Sequence, residues 1–102
     1  MLFLNKLKNK KYANNYQKEK ELWDVEGILH NQIYKFDLRP LKNNVKEGFF
    51  KTKANKIVFD IKNEYIIVDV EELHNYLKEN LLKVVKIEDL LSKLEWNIIL
   101  KK

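Results

Sequence analysis

The stretch KIVFDIKNEYIIVDV, residues 56–70, constrains the fold more than any other part of the chain. Two runs of β-branched and aromatic residues flank Asn63. Runs that are apolar nearly throughout read as strands covered on both faces. Asn63 between them reads as the turn of a hairpin. This hairpin therefore belongs at the centre of a sheet, and the rest of the chain must supply its neighbours and its cover.

A second hairpin precedes it. In ELWDVEGIL (21–29), Trp23, Val25, Gly27 and Leu29 alternate with Asp24 and Glu26. In QIYKFDL (32–38), Tyr34, Phe36 and Leu38 oppose Lys35 and Asp37. Both runs predict half-buried strands. His30-Asn31 lies between them, and Asn tolerates the positive φ of a tight turn. Pro40 ends the second strand because it cannot donate to a ladder. LKNNVKEG (41–48) reads as a loop. FFKT (49–52) and KVVKI (83–87) read as short strands, and WNIIL (96–100) as a closing strand. Two helices come late, at 71–80, with Leu73, Tyr76 and Leu77 on one face, and at 88–94, with Leu90, Leu91 and Leu94 inward. Glu71 and Glu72 at the start and Lys78 near the end suit the macrodipole of the first. The sum is an α+β fold in a single small domain: a mostly antiparallel sheet of five to six short strands with two to three helices.

A chain of 102 residues makes one domain and buries enough surface for a core without staples. It contains no cysteine, which excludes a disulfide framework, thiol catalysis and thiolate metal sites. MLFL is too short for the apolar core of a signal peptide, and positive charge follows rather than precedes it. No stretch approaches about 18 consecutive apolar residues. The expected protein is soluble, cytoplasmic and without a membrane span.

The net charge of +5 is not spread evenly. Residues 1–20 carry Lys6, Lys8, Lys10, Lys11, Lys18 and Lys20 against Glu19 alone, so the whole net charge sits there. Residues 21–102 balance 14 basic against 14 acidic side chains. The organisation predicted is a basic N-terminal arm, 1–20, with a helix over roughly 8–20, followed by a compact α+β domain, 21–102. Phe3 and Leu7 are four apart, as are Tyr12 and Tyr16, so each pair can share a helix face. The lysines can neutralise phosphates, and Tyr12 and Tyr16 can stack on unpaired bases. The alternative is a solvated amphipathic helix whose tyrosines pack on the sheet. A third reading inserts Leu2, Phe3, Leu4 and Leu7 into an anionic membrane surface. Arg39 is the one arginine beside 19 lysines, which suits non-specific electrostatic contact better than base reading.

One catalytic spacing stands out. A helix-borne Glu19 or Glu21, the strand residue Asp37 and the Asp60-x-Lys62 pair resemble the PD-(D/E)xK nuclease pattern. In that family the carboxylates hold Mg²⁺ and the lysine helps activate water. The sequence departs from it: no Pro precedes Asp37, the Asn63 hairpin follows Lys62 at once, and the chain is small for that fold. His30 and His74 lack metal-ligand spacing. There is no Gly-rich phosphate loop and no nucleophile elbow. Catalytic residues, cofactors and metals are therefore expected to be none.

The class expected is a non-enzymatic binding protein. In size and composition the chain resembles accessory proteins of phages and mobile elements, such as anti-CRISPR proteins and inhibitors of host nucleases. That resemblance implies a regulator acting by protein–protein contact, on a protein partner or on a nucleoprotein complex. Phe49 and Phe50 are the interface candidates, because consecutive strand residues point to opposite faces. The second reading is a nucleic-acid-binding accessory protein using Lys6, Lys8, Lys10, Lys11, Tyr12, Tyr16, Lys18 and Lys20.

Overall fold

The computed structural model describes residues 2–40, 45–47, 51–80 and 84–102. A 3-10 turn, Leu2–Lys6, leads into β1 (Lys8–Tyr12), and one π-helical turn, Gln17–Glu21, leads on to β2 (Val25–Leu29) and β3 (Gln32–Pro40). Then come β4 (Val45–Glu47), β5 (Lys56–Asp60), β6 (Glu64–Asp69), α1 (Val70–Asn80), β7 (Val84–Lys86), α2 (Ile87–Lys93) and β8 (Asn97–Lys101). Six strands form one mixed sheet in the order β1-β2-β3-β5-β6-β8, and β4 pairs with β7 in a separate two-stranded ribbon. The result is a small α+β fold. Strands β3 and β5 run parallel, which requires a crossover, and the excursion through β4 supplies it. The remaining neighbours in the sheet are antiparallel.

The two expected hairpins form. His30 and Asn31 turn the chain with φ of 49° and 66°, the sign that a two-residue hairpin loop needs. The central pair, β5 and β6, is buried on both faces, and the two faces feed two cores. On one face Ile57, Phe59, Ile66 and Val68 pack beneath Val70 and Leu73 of α1 and Leu94 after α2. On the other, Val25, Leu29, Phe36, Val58, Tyr65 and Ile67 pack against Phe3 and Leu7.

The cover of that second face corrects the reading of the N-terminus. No helix spans 8–20. Phe3 is fully buried, and its ring meets Phe36 and Tyr65 edge-on at centroid distances of 5.3 and 5.6 Å. Leu7 is buried beside Gly27, where an added Cβ would lie 3.1 Å from the leucine side chain. Phe3 and Leu7 thus plug the core, and these two side chains do not lie free to insert in a membrane surface. The plug delivers the next residues to the exposed edge of β2, where Lys8–Tyr12 pair as an antiparallel strand. A lysine-asparagine run has no apolar stripe to hold a helix, so the open sheet edge decides its conformation. Helical structure survives only as a short turn. Asn14 and Gln17 start it reciprocally: the Gln17 amide donates to Asn14 Oδ1 at 2.8 Å, and the Asn14 amide donates to Gln17 Oε1 at 3.0 Å. Leu22 ends it at φ 62°.

Three smaller differences follow. The loop expected at 41–48 contains β4. Lys51 and Thr52 carry no strand. Phe49 and Phe50 lie outside the described residues. Among the described residues no helix is long and apolar enough to cross a membrane.

Candidate nucleic-acid interface

Strand β1 is an edge strand whose five residues, Lys8 to Tyr12, are all exposed. Its register carries a bulge: Lys8 pairs with Ile28 and Lys11 with Glu26, so three steps on β1 match two on β2. Asn9 absorbs the extra residue at φ 53°, a left-handed conformation that Asn adopts more readily than most residues. The bulge has a consequence for charge. Without it, residues three apart would point to opposite faces. With it, Lys8 and Lys11 share the face of Ile28 and Glu26. Lys35 and Ile33, paired with Glu26 and Ile28, extend that face onto β3. None of these six side chains is buried, and Ile33 is 67% exposed.

The tyrosines do not pack on the sheet: Tyr12 is 59% and Tyr16 67% exposed. Lys6, Lys10, Lys18 and Lys20 are exposed as well. Among the described residues none of the six lysines of 1–20 forms an ion pair. The surface runs the length of β1. Lys6 and Lys8 lie at the end near the His30-Asn31 turn, where they line a cleft of about 390 Å³. Lys18 lies at the other end, in a cleft with Asp24, Asp37, Leu38, Arg39 and Lys51. The structure therefore gathers Lys6, Lys8, Lys10, Lys11 and Tyr12 on one edge and continues it through the turn that carries Tyr16, Lys18 and Lys20. The sequence reading missed Ile33 and Lys35 as members. The alternation of β3 holds the signal, since Ile33 falls on the polar side with Lys35 and Asp37.

The residues of the nuclease-like spacing are not brought together. Asp37 pairs in register with Ile57, and Asp60 lies three residues beyond, on the opposite face of the sheet. Asp37 is held by Arg39, whose Nε donates to Oδ1 at 3.1 Å and whose terminal nitrogen donates to Oδ2 at 2.8 Å. Asp60 pairs with Lys102, and Lys62 is exposed in the turn after β5. Glu21 accepts a hydrogen bond from the Trp23 indole at 2.9 Å, and Glu19 is exposed. No three of the described His, Asp and Glu side chains cluster as metal ligands do. Of the histidines, His30 lines the first cleft and His74 a separate polar cleft with Asp69, Glu71 and Asn75 at the start of α1.

No protein-family model, curated protein or solved structure matches this chain.

Proposed function

We propose that the protein is a non-enzymatic binding protein that takes single-stranded nucleic acid along β1 and the turn that follows it. The observation that carries this reading is the joint exposure of Tyr12 and Tyr16 among six lysines that have no acidic partner among the described residues. Exposed aromatic rings between unpaired cations are the combination that single strands use: backbone charge meets lysine, and unpaired bases stack on the rings. Duplex DNA offers no free base faces on which the two tyrosines could stack. Arg39 is engaged by Asp37, so the residue best suited to reading guanine is committed elsewhere. The contact is accordingly sequence-tolerant.

An acidic strand adding to the β1 edge is the competing use of the same surface. The bulge and the lysines work against it, since both are devices by which edge strands discourage pairing. A regulator acting through Phe49 and Phe50 uses residues outside the described part of the chain.

The test is oligonucleotide binding by the full-length chain between about 50 and 200 mM salt, with Lys8, Lys10 and Lys11 changed together to Gln. Single-strand affinity is expected to fall with salt, with a log–log slope that shallows by about 2 in the triple variant. Tyr16→Ala is expected to lose about 1–3 kcal/mol on single strands. A triple variant that binds as the parent does removes the proposal. Absence of oligonucleotide binding by the folded chain returns the protein-contact reading to first place.

A further inference from the structure

The cleft at the hairpin end of β1 combines basic side chains, an imidazole and apolar wall. Lys6, Lys8, His30 and Asn31 stand around it, and Ile28, Leu29 and Leu100 supply apolar wall. Leu29 and Leu100 come from β2 and β8, which stand second and last in the sheet order, so the sheet curls enough for both to reach one site. Leu29 is buried and Leu100 is partly exposed. Among the described residues no ion pair or side-chain hydrogen bond occupies Lys6, Lys8, His30 or Asn31. Its volume of about 390 Å³ falls at the low end of the small-ligand range, so it suits one nucleotide rather than a length of strand.

We infer that this cleft is an end site: it takes the terminal nucleotide of a single strand that ends in a phosphomonoester. The inference rests on the nucleic-acid reading and deepens it. A phosphomonoester carries about −1.5 to −2 charges near neutral pH and three acceptor oxygens, against a single charge for a phosphodiester. Two ammonium groups and an imidazole lining one cleft match the end better than the middle of a strand. The apolar wall gives the base or sugar a surface to cover, which inorganic phosphate lacks. Lys8 belongs to both the cleft and β1 and shares its face with Lys11, so a strand held at its end can continue along that face.

The experiment uses the full-length chain and short oligothymidylates bearing a 5′-phosphate, a 3′-phosphate or hydroxyls at both ends. One phosphorylated end is expected to bind at least about tenfold tighter than the hydroxyl-ended strand, the worth of one added charge-assisted hydrogen bond. Which end wins gives the polarity of the strand. His30→Gly keeps the positive φ of the turn and removes the imidazole, so it is expected to weaken binding of the phosphorylated end more than binding of the hydroxyl-ended strand. Thymidine monophosphate alone is expected to shift the amide resonances of Ile28, Asn31 and Leu100. Equal affinity for all three strands overturns the end site. If hydroxyl-ended binding still depends on Lys10 and Lys11, the surface reading survives that result. Binding to none of the strands overturns both.

Discussion

Replacing Phe3 with alanine tests the claim that the first residues belong to the core. The side chain is fully buried and touches Phe36 and Tyr65 edge-on. A buried Phe→Ala change costs about 3–5 kcal/mol, which already includes the ring pairs at about 0.5–1.5 kcal/mol each. A domain of this size has about 5–15 kcal/mol in all, so the loss is a large fraction of the total. At about 5 °C per kcal/mol for a chain of about 100 residues, Tm should drop by roughly 15–25 °C. Urea unfolding followed by circular dichroism measures the change. Tyr12→Ala, nine residues along and exposed, is the control and should stay within about 0.5 kcal/mol of the parent. If Phe3→Ala proves too unstable to purify, Phe3→Leu should fold with a loss of about 1 kcal/mol. A Phe3→Ala variant within about 1 kcal/mol of the parent would mean that the segment does not plug the sheet, and the placement of β1 would fall with it.

Two further substitutions probe the same face of the sheet. Lys56 is a buried cation, 2.7 Å from Asp69 and 3.6 Å from the centroid of the Trp96 ring. Lys56→Ala should cost about 3 kcal/mol, the lower end for a broken buried pair because Asp69 keeps some solvent. Lys56→Met should recover part of that by keeping its stem on Trp96, and a urea series in which the two variants match would refute this account. Gly27→Ala places its Cβ 3.1 Å from Leu7 and should cost about 1–2 kcal/mol. Combined with Leu7→Ala the two effects should couple by at least about 0.5 kcal/mol, and strict additivity in the double-mutant cycle would show that the contact is not made.

The parts of the fold that were legible in the sequence are those where local pattern and tertiary burial agree. The central hairpin is apolar on both faces because both faces are covered, and the β2–β3 hairpin alternates because its second face is only partly covered. His30 and Asn31 announce a turn by type. The N-terminal segment was not legible because its two signals concern different partners. Phe3 and Leu7 have helical spacing, yet they use it to fill a gap above Phe36 and Tyr65 that only the assembled sheet creates. The lysines between 8 and 11 carry no periodicity, and their conformation is set by an unpaired edge some 15 residues further along the chain. The candidate site was legible in its N-terminal lysines, which charge counting marks, but not in Ile33 and Lys35. Its geometry was not, because the shared face of Lys8 and Lys11 exists only through the bulge at Asn9.

That arrangement makes one stretch of chain serve two purposes, and it decides how the binding surface can be tested. Deleting residues 1–20 would remove the lysines, but it would also uncover Val25, Phe36, Tyr65 and Ile67, which Phe3 and Leu7 now cover. The remaining chain would lose its plug and its edge strand together, so loss of binding in such a truncation would follow from loss of fold as readily as from loss of charge. Charge substitutions separate the two. Lys10 and Lys11 are exposed and have no acidic partner among the described residues, so changing them to Gln should leave stability within about 0.5 kcal/mol. The plug and the interface are thus joined through the backbone of Leu7 and Lys8, with their side chains pointing to different ends. A variant at Phe3 should weaken binding only in proportion to the unfolded fraction, whereas a variant at Lys11 should weaken it in a fully folded chain.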